Sequence, residues 1–287
     1  MLNRKKLSLC LGFLATASLV GACDEPSAPQ TSTTNDDINV EDTDAQNKTD
    51  FLRSAAGRYG HYDIVTYLAD MGDMGLLENL IISYGFTSLD WEDGKLIATD
   101  RFCFSEHLSN QPFTSTVSDA FTQAIVPKSA QMEARRDDEG GLYLWRPRTP
   151  TLLGIEYEDS ENTPLPKSIA PDDPRLVDHD LDGKPGVTAH IDMSGTPEEI
   201  YIARREIFEF EIRPADKGVL EGVVHDSSEQ VVIDATNPIL KIQLEWLQDE
   251  DLSRSPILLV PVDDSYDCEK LKAERDALFP PNPTVGP

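Results

Sequence analysis

Between Val187 and Ala235 the chain alternates apolar and polar residues almost without pause: VTAHIDM, EIYIAR, IFEFEI, VLEGVV and QVVIDA, separated by Gly, Pro, Asp and Ser. A period of two places every second side chain on one face of a strand, and a helix would scramble it. The same alternation at Leu240, Ile242, Leu244 and Trp246 predicts another strand, with Lys241, Gln243 and Glu245 on its polar face. Residues 88–99 read SLDWEDGKLIAT. Asp93-Gly94 at their centre predicts a tight hairpin, because glycine takes the positive φ that such a turn demands. Residues 131–135 and 142–145 flank Asp138-Glu139-Gly140-Gly141 and predict a second hairpin.

Many short strands joined by short links give a mainly β fold, an antiparallel meander closed into a barrel-like sheet, with a sandwich as the alternative. Closure is preferred because it hides strand edges. Residues 72–86 fit a short helix or a buried strand equally well, and residues 115–126 carry a helical stripe. A short C-terminal helix is expected over CEKLKAERDAL, with Asp267 as its N-cap and Pro280-Pro281 as its stop.

The N-terminus carries an address. Arg4, Lys5 and Lys6 precede an apolar run over residues 7–22, the pattern of a secretory signal too short to span a bilayer. The run ends Val20-Gly21-Ala22-Cys23, which resembles the lipobox of bacterial lipoproteins. The resemblance implies that Cys23 receives the lipid and becomes the mature N-terminus. Residues 24–50 are rich in Ser, Thr, Asp and Pro without an apolar period, and read as a disordered tether. The expected organisation is a signal over 1–22, a tether over 23–50, one β-rich body over 51–279 and a disordered tail over 280–287. The expected location is extracytoplasmic, held by lipid at an outer membrane or cell surface rather than an inner membrane.

Charge narrows the partners. Fifty-two acidic residues against 25 basic ones give a net charge of −27, which argues against nucleic-acid binding. With Cys10 in the signal and Cys23 lipidated, Cys103 and Cys268 remain for the body. Two thiols in an exported chain predict one disulfide, worth on the order of 4–5 kcal/mol by loop entropy, with two buried thiols as the alternative.

One loop carries metal chemistry. Asp178-His179-Asp180-Leu181-Asp182-Gly183-Lys184-Pro185-Gly186 sets three carboxylates at alternate positions before a glycine that allows a sharp bend. The stretch resembles EF-hand loops and, through its Asp-Gly-x-Pro-Gly ending, thrombospondin type 3 repeats. The resemblance implies calcium held by Asp178, Asp180 and Asp182, with Lys184 at the position that offers a backbone carbonyl. Ala189 stands where an EF-hand needs its bidentate acid, so the helix–loop–helix fold is not implied. Together with the strand-cysteine-helix ending, the loop is similar to a group of uncharacterised β-rich lipoproteins of predatory and soil-dwelling bacteria.

No GxSxG, HExxH, Walker or GxGxxG motif occurs, and His61, His107, His179, His190 and His225 lack metal-ligand spacing. These observations favour a non-catalytic envelope protein that binds a small ligand or an envelope protein. The alternatives are a polymer hydrolase or a calcium-stiffened surface protein.

Overall fold

A computed structural model describes residues 36–285; the signal, Cys23 and the first part of the expected tether lie outside the described residues. The first element is a helix, α1 (Asp36–Ser54), so the boundary expected at residue 51 falls inside it. Its polar composition disguises it. Phe51 and Leu52 pack on the core, Arg53 lies 5.0 Å over the Trp91 ring, and Asp44 pairs with Arg136 at 2.5 Å.

Three long strands follow, β1 (Gly57–Asp70), β2 (Leu76–Glu92) and β3 (Lys95–Ser109), paired antiparallel. The β2–β3 turn is Asp93-Gly94, both with positive φ. Residues 76–86, ambiguous in sequence, are strand because their alternate side chains meet two different cores. Next come β4 (Thr114–Val117), α2 (Asp119–Gln123), β5 (Ala130–Gln131), β6 (Glu133–Arg136), β7 (Leu142–Arg146) and β8 (Thr151–Leu153). After a loop come β9 (Val187–Asp192), β10 (Pro197–Glu206), β11 (Phe208–Pro214), β12 (Leu220–Asp226) and β13 (Glu229–Ala235). The chain closes with β14 (Leu247–Gln248), β15 (Pro256–Pro261) and α3 (Cys268–Leu278).

The larger sheet runs β5-β3-β2-β1-β15-β12-β11-β7-β6, with β14 also on β1; the smaller runs β13-β10-β9-β4, with β8 on β10. The two ends of the larger sheet, β5 and β6, are separated in the chain by Met132 alone. The Met132 N–H donates to the Leu96 carbonyl at 2.8 Å, so the sheet is a nearly closed, antiparallel barrel.

Register assigns the faces. Tyr59, His61, Asp63, Val65 and Tyr67 of β1 share the inner face with Thr87, Gly85, Ser83, Ile81 and Asn79 of β2. Tyr62, Ile64, Ile82, Tyr84 and Phe104 face outward, under Leu271 and Phe279 of the C-terminal segment. Opposite Tyr84 and Gly85, β3 carries one extra residue, Cys103, whose bulge brings it against α3. Cys103 and Cys268 are joined there, with Cα atoms 5.3 Å apart. Asp267 caps α3 by accepting the Lys270 N–H at 2.9 Å. Residues 280–285 depart from the expected free tail. Asn282 accepts from the Tyr84 hydroxyl at 2.8 Å, and Val285 packs on the same outer cluster.

The barrel interior is filled. Leu89, Leu96, Leu144, Phe210, Ile212, Ile257 and Leu259 form its apolar part. Through it runs a chain of buried polar groups. Arg146 Nε donates to Asp100 Oδ2 at 2.7 Å, and the Thr87 hydroxyl donates to Asp100 Oδ1 at 2.7 Å. Having given its only proton away, Thr87 must accept from His61 Nδ1, 2.7 Å away. His61 Nε2 then meets Asp63 Oδ2 at 2.7 Å. Arg146 is fully buried and also lies 4.5 Å over the Phe208 ring.

Two strands change sheets. β10 of the smaller sheet becomes β11 of the larger across Ile207, and β12 returns to β13 across Ser227-Ser228. The crossings are tied together: Ser227 N–H donates to the Ile207 carbonyl at 2.9 Å, and Ile207 N–H to Ser228 Oγ at 2.8 Å.

The strand expected through Leu240–Trp246 does not form. A 3₁₀ turn at Pro238–Lys241 is followed by an irregular strap. Gln243 explains why the strap needs no ladder. Its side-chain amide accepts from Val232 N–H at 3.0 Å and donates to Val232 C=O at 2.7 Å, replacing a strand's backbone at the β13 edge. Ile242, expected to be buried, is 56% exposed.

Candidate functional site

The long strands outrun the filled barrel. Beyond Val65 the inner face of β1–β3 continues as Tyr67, Asn79, Ile81, His107 and Ser109, and these side chains wall a cavity instead of a packed core. The facing wall is the smaller sheet, through Val117, Ile191, Ile200 and Ile202. The strap roofs it with Leu240, Leu244 and Trp246. The cavity holds about 1100 Å³, slightly above the roughly 300–1,000 Å³ of ordinary small-molecule sites. Ile239, Ile242 and Leu247 line its mouth and remain 56–66% exposed.

A polar cluster forms the floor at the sheet crossing. Alternation along β10 sets Arg204 and Glu206 on the same face as Ile200 and Ile202. Arg204 grips Glu206 through Nε at 2.5 Å and Nη2 at 3.1 Å, and its Nη1 donates to Gln230 Oε1 at 2.7 Å. Asp226 Oδ1 accepts from the Tyr67 hydroxyl at 2.8 Å and from Ser228 N–H at 2.9 Å. Ser228 Oγ touches Asp226 Oδ2 at 2.8 Å and Glu206 Oε2 at 3.0 Å.

Ser228 has one hydroxyl proton for these two oxygens, so the network closes only if one acid is itself protonated. Below about pH 6, Asp226 is that acid. Burial and the neighbouring Glu206 charge push its carboxyl up to about 6. Burial would also raise Glu206, but Arg204 outweighs it and holds the carboxyl below its ordinary value. Burial likewise disfavours the Arg204 charge, and Glu206 more than compensates. Burial, then the Arg204 charge, lowers His107 to about 4, so its imidazole is neutral near pH 7. Below about pH 6 the one guanidinium of the cluster balances the one carboxylate, and above it the ionised Asp226 adds a second negative charge.

The aspartate loop lies elsewhere, at the start of β9. Asp178, Asp180 and Asp182 each offer an oxygen, all within 4.8 Å of one another, and the triad could hold a metal ion. Backbone amides organise it: Asp178 accepts from Asp182 N–H at 3.0 Å and Gly183 N–H at 2.8 Å. Positive φ at Leu181, Gly183 and Gly186 curls the loop. Asp180 is 8% exposed; its Oδ2 accepts from Thr188 N–H at 2.9 Å, while its buried Oδ1 has no partner among the described residues. Burial, followed by the Asp182 charge, raises the Asp180 carboxyl. Lys184, expected to contribute a carbonyl, directs its ammonium to Glu199 at 2.5 Å. Asp173 and Asp192 are engaged by Arg175 and Gly195 and stand apart from the triad.

The sequence therefore located the loop but missed the cavity floor. A usable signal was present: in IYIARRE, a charged pair occupies the apolar register of a strand. No local pattern joins these residues to Tyr67, His107 or Asp226, because they meet through strand crossing. Of the five histidines, His61 is 1% exposed inside the barrel, and His107 alone faces the cavity. Comparisons with protein-family models, curated proteins and solved structures find no match to this chain.

Proposed function

We propose that the protein is a lipid-anchored, extracytoplasmic binding protein of a bacterial cell envelope that holds a small, mainly apolar molecule between its barrel and its second sheet. The cavity of about 1100 Å³, walled by aliphatic side chains above a compact polar floor, carries this reading. The lipobox-like Val20-Gly21-Ala22-Cys23 supports the anchor. The test is a titration with N-phenyl-1-naphthylamine, a neutral apolar dye, followed by energy transfer from Trp246 in the cavity roof. Saturable one-to-one binding is expected; a signal that never saturates would contradict the reading. Replacing Cys23 with Ser should move the protein from the membrane fraction to the soluble one.

One observation favours a hydrolase as the second reading: a carboxyl raised to about 6 faces the same cavity. Against it, each oxygen of Glu206 and Asp226 already meets a protein hydrogen-bond partner. Release of a naphthyl-ester product, lost in Asp226→Asn, would establish that reading instead.

The aspartate loop is assigned to calcium as a stabilising clip. The buried Asp180 Oδ1, unpartnered among the described residues and beside two further carboxylates, supports a hard cation.

A further inference from the structure

Building on the cavity-binding reading, we propose that the ligand is an uncharged amphiphile whose polar head accepts hydrogen bonds, such as a long-chain ester or alcohol, and that His107 is the residue that selects it. All the carboxylate oxygens of the enclosed acids are engaged: those of Glu206 by Arg204 and Ser228, those of Asp226 by Tyr67 and Ser228, and those of Glu229 by Arg205 and Leu165 N–H. An ammonium head would find no free carboxylate oxygen among these three; Glu245 and Glu250, which also line the cavity, are exposed to solvent. A carboxylate head would meet Glu206 at close range, inside a chain of net charge −27.

On the floor, Arg204 and His107 still offer N–H donors. Arg204 uses three of its five N–H groups on Glu206 and Gln230, and its charge is balanced by Glu206. His107 makes no side-chain hydrogen bond to any described residue and lies against the cavity beside Ile81. A neutral imidazole offers one N–H and one acceptor nitrogen, which suits an ester carbonyl or a hydroxyl. The aliphatic walls take the chain, and the exposed Ile239, Ile242 and Leu247 at the mouth give its tail an apolar exit.

The experiment displaces N-phenyl-1-naphthylamine from the full chain at pH 7 with five probes carrying twelve-carbon chains: monododecanoylglycerol, dodecanol, dodecanoate, dodecylammonium and dodecane. The glycerol ester and the alcohol should displace the dye at concentrations about tenfold below the two ions, the scale of an unmatched buried charge or a lost hydrogen bond. His107→Phe should remove most of the ester's advantage over dodecane, and His107→Gln should restore part of it. Tighter binding of either ion, or unchanged ester selectivity in a folded His107→Phe, would overturn the inference while leaving cavity binding intact. Failure of the dye itself to bind would instead remove the reading on which the inference rests.

Discussion

The Tyr67 hydroxyl donates to Asp226 Oδ1 at 2.8 Å, linking the inner face of the barrel to the crossing where β12 leaves for the second sheet. That bond marks where the packed interior ends and the cavity begins. Asp226 retains its proton to about pH 6 in the folded chain, whereas an unfolded aspartate loses it near 3.8. Between these values the folded state binds more protons, so this group makes stability fall as pH rises. Asp226→Asn, which mimics the protonated acid, should gain on the order of 2 kcal/mol relative to wild type between pH 4 and pH 7. Urea midpoints at the two pH values measure it; a pH-independent difference would place the proton elsewhere.

His107 acts in the opposite direction. Its folded value of about 4 lies below the unfolded 6.5, so its contribution is lost as pH falls through that window. His107→Phe should therefore flatten the acid side of the stability profile. The wild-type chain carries both slopes, and the two single variants should separate them.

The buried chain from Arg146 to Asp63 predicts a large cost for breaking one link. Arg146→Met leaves Asp100 charged, buried and without its main partner, and should cost about 3–5 kcal/mol in urea unfolding. Adding Asp100→Leu to that variant should recover part of the loss, because the stranded charge is then gone. A strictly additive pair would show that the two residues do not act as one unit.

The Cys103–Cys268 bridge spans 165 residues and fixes α3 over the outer face of the barrel. Reduction, or Cys103→Ala with Cys268→Ala, should lower stability by no more than on the order of 4–5 kcal/mol. The packing of Leu271 and Phe279 should keep α3 docked. Protease cutting within residues 262–285 should then rise only modestly.

If calcium occupies the Asp178–Asp180–Asp182 loop, a chelator should lower the melting temperature and added calcium should restore it. Asp180→Ala should remove that response. Chelator indifference in the wild-type chain would leave the loop as a turn stabilised by its own backbone bonds.

Legibility in the sequence followed the range of the interactions. Asp93-Gly94 and the β9–β13 alternations needed only neighbouring residues, and they are where the sequence places them. Leu240, Ile242, Leu244 and Trp246 alternate as a strand does, yet they form a strap. Gln243 supplies the edge hydrogen bonds through its side chain, and no local pattern announces that. α1 was obscured because contacts from Phe51, Leu52 and Asp44 to distant residues support a segment of polar composition. The aspartate loop was legible as a contiguous motif. The cavity floor was not, since Tyr67, His107, Arg204 and Asp226 come from four strands spread over 160 residues.

If the space beyond the filled barrel is a binding site, as proposed, filling that space should weaken or abolish binding. Ile81 lies on the cavity wall in register with His107, so Ile81→Trp puts an indole where the ligand would lie. Dye titration of wild type and variant, with melting curves to show that both are folded, should give saturable one-to-one binding in the first. It should give affinity weaker by about tenfold or more in the second. Equal binding by a folded Ile81→Trp, or no saturable binding by the wild type, would contradict the account.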